Sequence, residues 1–291
     1  MSEGRVIRKL GAAVWGRKVA ALPERGVLLV ATDIQGNWHD YARMKALLAA
    51  ERAAGHDACL AFVGDLVHGP NPSLHEPGQW PHWLGTPYVD RSAEVLVDFE
   101  RFTREAPAFS LLGNHEHAHI GGPRVAKFHS DEAAVLDAAL GDDAPRLHGF
   151  MRSFPLVARG ACGLVLTHGA PFATEATPDA FERLSYDGYE ESSIGSLYAH
   201  DTVGALLWAR SASDARARAL LSVVHGRPEG VVVFGHDVVH AGYEKMSETQ
   251  LCLSTSFGLF DEDKRYLRVD LGAALRSVDD LRDGVELLHL W

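Results

Sequence analysis

Three apolar runs in the first half of the chain each end in a short polar cluster, and this arrangement restricts the fold more than any other feature of the sequence. The runs are Val27–Ala31, residues 58–63 and residues 108–112. Segments with the periodicity of an amphipathic helix separate them. Alternating buried strands and helices are typical of α/β proteins, in which the carboxyl ends of neighbouring strands assemble a site. We therefore expect the three polar clusters to meet at one edge of a sheet.

The second half of the chain mixes predicted strands with helices. Residues 154–159 and Leu164–Thr167 flank a short turn and predict a β-hairpin, whereas residues 178–224 predict a helical segment that covers the site. The other predicted elements are the strand Val231–Phe234, two antiparallel strands at residues 251–254 and 266–269, and a C-terminal helix at residues 278–288. Together these elements predict one domain over residues 1–291, of the α/β (α+β) class, with two mixed β-sheets packed as a sandwich and flanked by helices.

Residues 69–89 differ in composition from their surroundings. They contain five prolines together with Trp80 and Trp83. Proline at this density excludes a regular helix or strand, so the segment is predicted to be a long inserted loop near the site. Such loops often carry binding residues. The alternative is a surface decoration without a role in function.

The overall composition limits the classes of partner and the compartment. Lys and Arg total 28 and Asp and Glu total 39, and the resulting net charge of −11 disfavours nucleic acid and anionic lipid as partners. Three scattered cysteines without a C-x-x-C pair predict a reduced, cytoplasmic protein. No apolar stretch reaches the length of a membrane span. Basic residues among the first twenty leave a surface-lying amphipathic N-terminus as an alternative. The sequence does not predict an oligomeric state.

Five polar clusters in total follow the predicted strand ends. They are residues 33–37, Gly64-Asp65, residues 113–116, residues 167–169 and Gly235-His236. Hard divalent cations prefer oxygen ligands, and transition metals add imidazole. A site for two ions about 3.5–4 Å apart also needs a carboxylate that bridges them. Asp65 is the candidate, because its strand is expected to lie between those that carry Asp33 and Asn114. A lone Gly-Asp indicates only a turn, but five clusters in order predict a metal site.

The motifs in these clusters resemble those of the calcineurin-like metallophosphoesterases. Within that family they resemble the phosphoprotein phosphatase branch. Gly113-Asn114-His115-Glu116 is similar to the GNHE motif of that branch. Residues 235–244 resemble its final histidine motif, which runs on to Gly-Tyr-Glu. Residues 201–210 resemble the segment that carries a phosphate-binding arginine in bacterial members, here Arg210. The similarity extends over residues 27–270.

The resemblance implies a phosphatase that uses two divalent metal ions, with Mn²⁺ expected and Mg²⁺, Zn²⁺ or Fe as alternatives. A hydroxide shared by the ions would attack phosphorus, and His115 would protonate the leaving oxygen. Glu116 is expected to be structural and to face backbone groups of its turn. The implied ligands are Asp33, Gln35 and Asp65 for the first ion, and Asp65, Asn114, His168 and His236 for the second.

The first departure from the family pattern is Gln35, at a position where the family usually has histidine. A neutral amide oxygen makes the first site richer in oxygen, which favours Mn²⁺ or Mg²⁺ over Fe or Zn. The alternative is a weakened site in a chain that binds phosphate without hydrolysing it.

The second departure lies in residues 64–69, which end in His68-Gly69 where the branch reads GDxVDRG. The missing Asp-Arg pair is expected to reappear beyond the inserted loop as Asp90-Arg91, with Asp90 orienting His115 and Arg91 binding phosphate. The alternative is that Asp90 caps the following helix. His240 is an additional candidate ligand, although its spacing from His236 differs from the GHxH of many family members.

The sequence thus predicts an enzyme that hydrolyses phosphomonoesters, with phosphoserine or phosphothreonine in proteins as candidate substrates. One alternative is cleavage of a nucleotide phosphoanhydride, as in the diadenosine-tetraphosphate hydrolases that resemble this branch. Trp80 and Trp83 could stack a nucleobase or a peptide side chain and do not discriminate between the two. The other alternative is a non-catalytic module that binds a phosphorylated ligand, which Gln35 favours and the intact Asn114 and His115 disfavour.

Overall fold

The computed structural model describes residues 9–291, apart from the side chain of His200, so residues 1–8 of the predicted domain and of the amphipathic alternative lie outside the described residues. Within this range eleven strands form two mixed sheets. The strands are β1 Val19–Ala21, β2 Val27–Ala31, β3 Ala58–Phe62, β4 Ala108–Ser110, β5 Val157–Arg159, β6 Leu164–Thr167, β7 Val231–Phe234, β8 Tyr243–Ser247, β9 Gln250–Leu253, β10 Arg265–Asp270 and β11 Leu287–His289.

The strand order brings the predicted clusters together. One sheet has the order β11-β10-β2-β3-β4 and the other the order β1-β5-β6-β7-β9-β8. Strands β2, β3 and β4 run parallel to one another, as do β6 and β7. The segments after all five strands therefore lie at strand carboxyl ends, and β3 lies between β2 and β4 as the sequence predicts. A hydrogen bond from Thr32 Oγ1 to the Leu253 carbonyl (2.9 Å) joins the two sheets at this edge. A second, from the Gly235 N–H to the His168 carbonyl (2.9 Å), lies within the six-stranded sheet.

Nine helices in the described range accompany the sheets. They are α1 Trp38–Ala53, α2 Ser92–Glu105, α3 Asn114–His117, α4 Glu132–Leu140, α5 Ala144–Met151, α6 Pro178–Glu182, α7 Ile194–His200, α8 Thr202–Trp208 and α9 Asp214–Val224. Asn37 begins α1, because its side-chain oxygen accepts the N–H groups of His39 and Asp40. Residues 178–224 are mainly helical, as predicted. None of the described helices is both long and apolar enough to cross a membrane.

Two layers of apolar side chains follow from the alternation of residues along the strands. One face of β2 and β3 contributes Leu28, Val30 and Ala61 to a core shared with Leu166 and Val233 of the other sheet. The opposite face contributes residues such as Leu29 and Phe62 to a core with the helices, where Phe62 lies 5.4 Å from Phe99 between ring centroids. The architecture is therefore the predicted sandwich flanked by helices.

Two sequence predictions for the second half were wrong in part. Residues 278–288 form a short 3-10 turn at Val278–Asp280 and the strand β11, because β11 pairs antiparallel with β10 and buries Leu287. The predicted strand at residues 251–254 runs antiparallel to β8 but parallel to β7. Tertiary pairing decides both outcomes, and local periodicity does not contain that information.

The proline-rich segment 69–89 contains only two 3-10 turns, at Pro72–His75 and His82–Leu84. Tyr88 attaches it to the site by donating its hydroxyl hydrogen to the Gln35 carbonyl (3.0 Å). The indole N–H of Trp80 is used within the loop itself, on the Gly85 carbonyl (2.9 Å). Trp83 is 53% exposed and lies parallel to Phe128. The loop therefore exposes Trp83 more than Trp80, which is half-buried.

Candidate metal centre

The backbone at the strand ends adopts a conformation that side chains rarely accept. Among the described residues, the non-glycine positions with positive φ are five residues of this edge: Asp33 (51°), Gln35 (41°), Asp65 (54°), His68 (70°) and His236 (65°). Such conformations persist only where the surrounding structure enforces them, and they concentrate at functional sites. The turns after β2, β3 and β7 therefore aim their side chains inward at an energetic cost.

Asp65, His168 and His236 form the first cluster of metal-type ligands, with ligand atoms within 4.8 Å of one another. The Nδ1–H of His168 donates to the Val63 carbonyl (2.7 Å), which leaves the lone pair of Nε2 directed into the cluster. This Nε2 atom lies 2.8 Å from Asn114 Oδ1 and 3.4 Å from Asp65 Oδ1. With Asp65 and this nitrogen deprotonated, three electron-pair donors face one another, and such a donor set suits a divalent cation.

Asp33 and Gln35 lie beside this cluster. Asp33 Oδ2 accepts the backbone N–H of His236 (3.1 Å), and the backbone N–H of Gln35 donates to the Asp65 carbonyl (2.9 Å). Burial raises the pKa of Asp33 to about 7 and the pKa of Asp65 well above its usual value, and the neighbouring Glu116 carboxylate raises that of Asp65 further. The Lys127 ammonium offsets part of the charge of these carboxylates. Two neighbouring buried carboxylates fit the binding of divalent cations.

Glu116 organises the backbone of the centre. Its Oε2 atom accepts the N–H groups of Asp65 (2.9 Å) and Gly113 (3.0 Å), and its Oε1 atom accepts that of Leu66 (2.7 Å). The structural role that the sequence predicts for Glu116 is therefore confirmed. Gly113 is required at its position, because a Cβ there would lie 2.2 Å from Asp65 Oδ1.

His115 is buried and directs its two ring nitrogens to opposite sides. Nε2 lies 3.7 Å from Asp65 Oδ2, and Nδ1 lies 3.0 Å from Nδ1 of His68. Burial lowers the pKa of His115 well below its usual value, and the neighbouring His68 lowers it further. The Nε2 side of the ring therefore faces the candidate ligands, as a proton donor to a leaving group would have to.

The two residues beyond the inserted loop make different contacts from those expected. Asp90 Oδ1 accepts the backbone N–H (3.0 Å) and the hydroxyl of Ser92, the first residue of α2, whereas the N-cap position itself is Arg91. The Arg91 guanidinium lies 4.4 Å from the centre of the Trp38 ring and pairs with Glu94 at 3.2 Å. Among the described residues, the side chain that contacts His115 Nδ1, where Asp90 was expected, is His68. The roles predicted for Asp90 and Arg91 stay predictions.

Arg210 lies next to the site. Its guanidinium pairs with Asp237, the residue after His236, and is largely exposed. Burial lowers the pKa of His236, and the charges of His168 and Arg210 lower it further. His240 is exposed and belongs to none of the metal-type clusters among the described residues.

Three residues of the site could not be identified from the sequence. Lys127 places its ammonium 3.5 Å from Gln35 Oε1 and 3.6 Å from the centre of the Phe257 ring. His68 and Glu132 lie behind His115. No motif marks Lys127 or Glu132. His68 had one sequence signal, namely that it stands where the family pattern has a different residue.

The sequence and the fold are similar to those of known phosphoesterases. Residues 26–249 match the family model for calcineurin-like phosphoesterases. No curated protein matches the sequence. A solved protein serine/threonine phosphatase from Saccharomyces cerevisiae, with similarity to human phosphatase PP5, is similar over 94% of this chain and 82% of that chain, at 13% identity and a TM-score of 0.53. A cold-active protein tyrosine phosphatase from a psychrophilic Shewanella species is similar over 88% of this chain and 78% of that chain, at 14% identity and a TM-score of 0.53. At these identities the two structures show a shared fold.

Proposed function

The chain belongs to the calcineurin-like phosphoesterase family and is a phosphoester hydrolase, and from this premise we propose that it hydrolyses phosphomonoesters at a site for two divalent metal ions. The observation that carries the proposal is the convergence of His168 Nε2, Asn114 Oδ1 and Asp65 Oδ1 beside the buried Asp33. Divalent cations held there would lower the pKa of water and neutralise charge that develops on phosphorus.

The proposed ligands divide between the two ions by position. Asp65 would be shared by the two ions, because its strand lies between the other two parallel strands of its sheet. Gln35 supplies a neutral oxygen to the first ion, so we propose Mn²⁺ as the working metal and Mg²⁺ as its substitute. The ligands are Asp33, Gln35 and Asp65 for the first ion and Asp65, Asn114, His168 and His236 for the second.

Two side chains are proposed to act on the substrate. His115 donates a proton from Nε2 to the leaving oxygen, because this nitrogen faces Asp65 while Nδ1 faces away. Arg210 leaves Asp237 and binds the phosphoryl oxygens, since it is exposed and its charge already acts on His236. A planar guanidinium suits this task better than an ammonium group.

The rim of the site bears on the substrate. Trp83 presents an exposed face next to Phe128, and Lys127 lies between this aromatic pair and Gln35. The aromatic pair could stack a nucleobase or a side chain of a phosphorylated peptide, so it does not discriminate between the two candidate substrates. We propose a phosphoprotein as substrate, with a nucleotide phosphoanhydride as the second candidate, and a cytoplasmic location, which the three buried free cysteines favour.

The test of the metal-dependent activity is p-nitrophenyl phosphate hydrolysis by chelated protein to which Mn²⁺, Mg²⁺, Zn²⁺ and Fe²⁺ are returned singly. We expect Mn²⁺ to restore the highest rate, and His115→Ala and Asp65→Asn to abolish it. His56→Ala is the matched control, because it removes an exposed histidine that precedes β3, at the opposite end of this strand from Asp65. Two bound ions per chain without hydrolysis by any metal form would support the non-catalytic binding module instead.

A second assay separates the candidate substrates. Phosphate release from phosphoserine and phosphothreonine peptides would support the proposed phosphatase. Release of AMP or ADP from diadenosine tetraphosphate, at a higher kcat/KM, would favour the nucleotide hydrolase.

A further inference from the structure

A buried carboxylate lies behind His115, on the side away from the candidate ligands. Glu132, the first residue of α4, is 2% exposed, and its Oε2 atom lies 3.2 Å from Nδ1 of His68 and 3.5 Å from Nδ1 of His115. We propose that Glu132, together with His68, is a positioning residue for His115 in the hydrolysis. The inference rests on the proposed function of the same site and names residues that no motif marks.

The orientation of the Glu132 carboxylate is fixed by the backbone. Its Oε1 atom accepts the N–H groups of Lys127 (2.8 Å) and Phe128 (2.5 Å). With one oxygen held in this way, the other must point at the two imidazole rings. Oε2 is buried and forms no hydrogen bond of standard geometry with any described residue. A buried carboxylate oxygen left in this state costs stability, so an electrostatic role towards the rings is a physical reason for its position.

The contact between the rings explains what the carboxylate does. The two Nδ1 atoms lie 3.0 Å apart, and a hydrogen bond between them requires a proton on one of the two. A negative charge facing both atoms favours that proton and opposes an arrangement in which two lone pairs meet. It also stabilises the positive charge of a His115 ring that carries protons on both nitrogens, as the carboxylate does in a Ser-His-Asp triad. His115 is thereby held with Nε2 towards the site.

His68 is itself held at its second nitrogen. Its Nε2 atom lies 2.8 Å from Nε2 of His119, whose Nδ1–H donates to Asp137 (3.0 Å). His148 donates to the same Asp137 oxygen (2.8 Å). The His68 ring therefore has a partner on each side, and its position is set by side chains of α4 and α5 as well as by Glu132. Because His68 cannot rotate freely, it cannot move to compensate when the charge of Glu132 is removed. Loss of this charge therefore alters the position of His115.

The test uses Glu132→Gln, which keeps the length of the side chain and a carbonyl oxygen for the Lys127 and Phe128 N–H groups but removes the charge. Hydrolysis of phenyl phosphate, whose leaving group needs a proton, is compared with that of 2,4-dinitrophenyl phosphate, whose leaving group does not. We expect kcat to fall roughly tenfold or more for phenyl phosphate and less than about twofold for the dinitrophenyl ester. Glu100→Gln is the control, because Glu100 is also buried but pairs with Arg104 and Arg146 on α2 and α5.

Equal losses on both substrates, or no loss on either, would overturn the role of Glu132 while the wild-type activity upholds the proposed function. A wild-type protein that hydrolyses neither ester with any metal would instead refute the proposed function. In that case ¹⁵N imidazole spectra of the metal-free protein decide, since the proposal requires that Glu132→Gln shift the His68 and His115 ring resonances and that Glu100→Gln leave them unchanged. If the amide variant does not fold, Glu132→Asp replaces it, with the same contrast between the two esters expected.

Discussion

Replacing Asp33 by asparagine is expected to stabilise the metal-free protein and to abolish its activity. Asp33 is buried, with only 6% of its surface exposed. Burial raises its pKa to about 7; the nearby His168 opposes this change and the charge of Asp65 adds to it. Without metal, an ionised Asp33 is therefore a buried charge that opposes folding.

The size of the effect follows from the difference between the folded and unfolded pKa values. The pKa rises from 3.8 to about 7, and each pH unit of difference corresponds to about 1.4 kcal/mol. Because the folded pKa is the higher one, the contribution to stability is fully present below about pH 4 and is lost as the pH rises to about 7. At pH 8 the ionised group thus costs about 4 kcal/mol. Asparagine avoids this cost, and its amide oxygen can still accept the His236 N–H.

Guanidinium unfolding in the presence of a chelator measures the effect. We expect Asp33→Asn to exceed the wild type in free energy of unfolding by about 4 kcal/mol at pH 8 and by about 1.7 kcal/mol at pH 5. Asp142→Asn, which neutralises an exposed aspartate, is the control and should change neither value. With excess Mn²⁺ the order should reverse, because the ions bind only the folded wild type tightly. An asparagine variant that is no more stable than the wild type at pH 8 would refute the reasoning.

Three further substitutions test separate parts of the site. Gln35→His should shift the metal retained after purification towards Zn or Fe, as measured by elemental analysis, and an unchanged metal content would remove Gln35 from the ligands. Gly113→Ala should lower the free energy of unfolding by about 1–3 kcal/mol and reduce activity, because its Cβ would meet Asp65 Oδ1; an unaltered Tm would contradict this. Asp90→Asn should lower Tm and leave kcat nearly unchanged, since the Asp90 carboxylate accepts hydrogen bonds from Ser92. A large loss of kcat at constant Tm would instead support the role of Asp90 in orienting His115.

Local patterns were sufficient for the centre of the fold. The run Val27–Ala31 is strand β2 without a change of boundary, and the turn after it carries Asp33 and Gln35. A buried parallel strand needs a continuous apolar run, and a strand end that bears ligands needs a sharp polar turn, so both signals lie within about ten residues of sequence. For the same reason the position of Asp65 between its neighbours followed from chain order.

Elements that depend on distant partners could not be predicted in this way. Strand β8 is largely polar and half exposed, because it lies at the edge of its sheet, and it lacks the apolar run of a central strand. Strand β11 exists because β10 offers it a hydrogen-bonding edge. Glu132 and His68 are 64 positions apart, and Lys127 reaches Gln35 from a loop without a motif. Contacts of this kind arise from the tertiary fold alone.

The inserted segment 69–89 explains why the carboxylate behind His115 comes from another part of the chain. Its two ends meet: the Asp90 carboxylate also accepts the backbone N–H of Gly69, and a Cβ on Gly69 would lie 2.7 Å from Asp90 Oδ1. Asp90 thus closes the base of the loop and holds the start of α2, and its carboxylate is engaged there. The Asp90 charge acts on His68 without a hydrogen bond or ion pair between the two described side chains. Glu132 supplies, from α4, a carboxylate that faces His68 directly, so the loop could be inserted without leaving His115 unsupported.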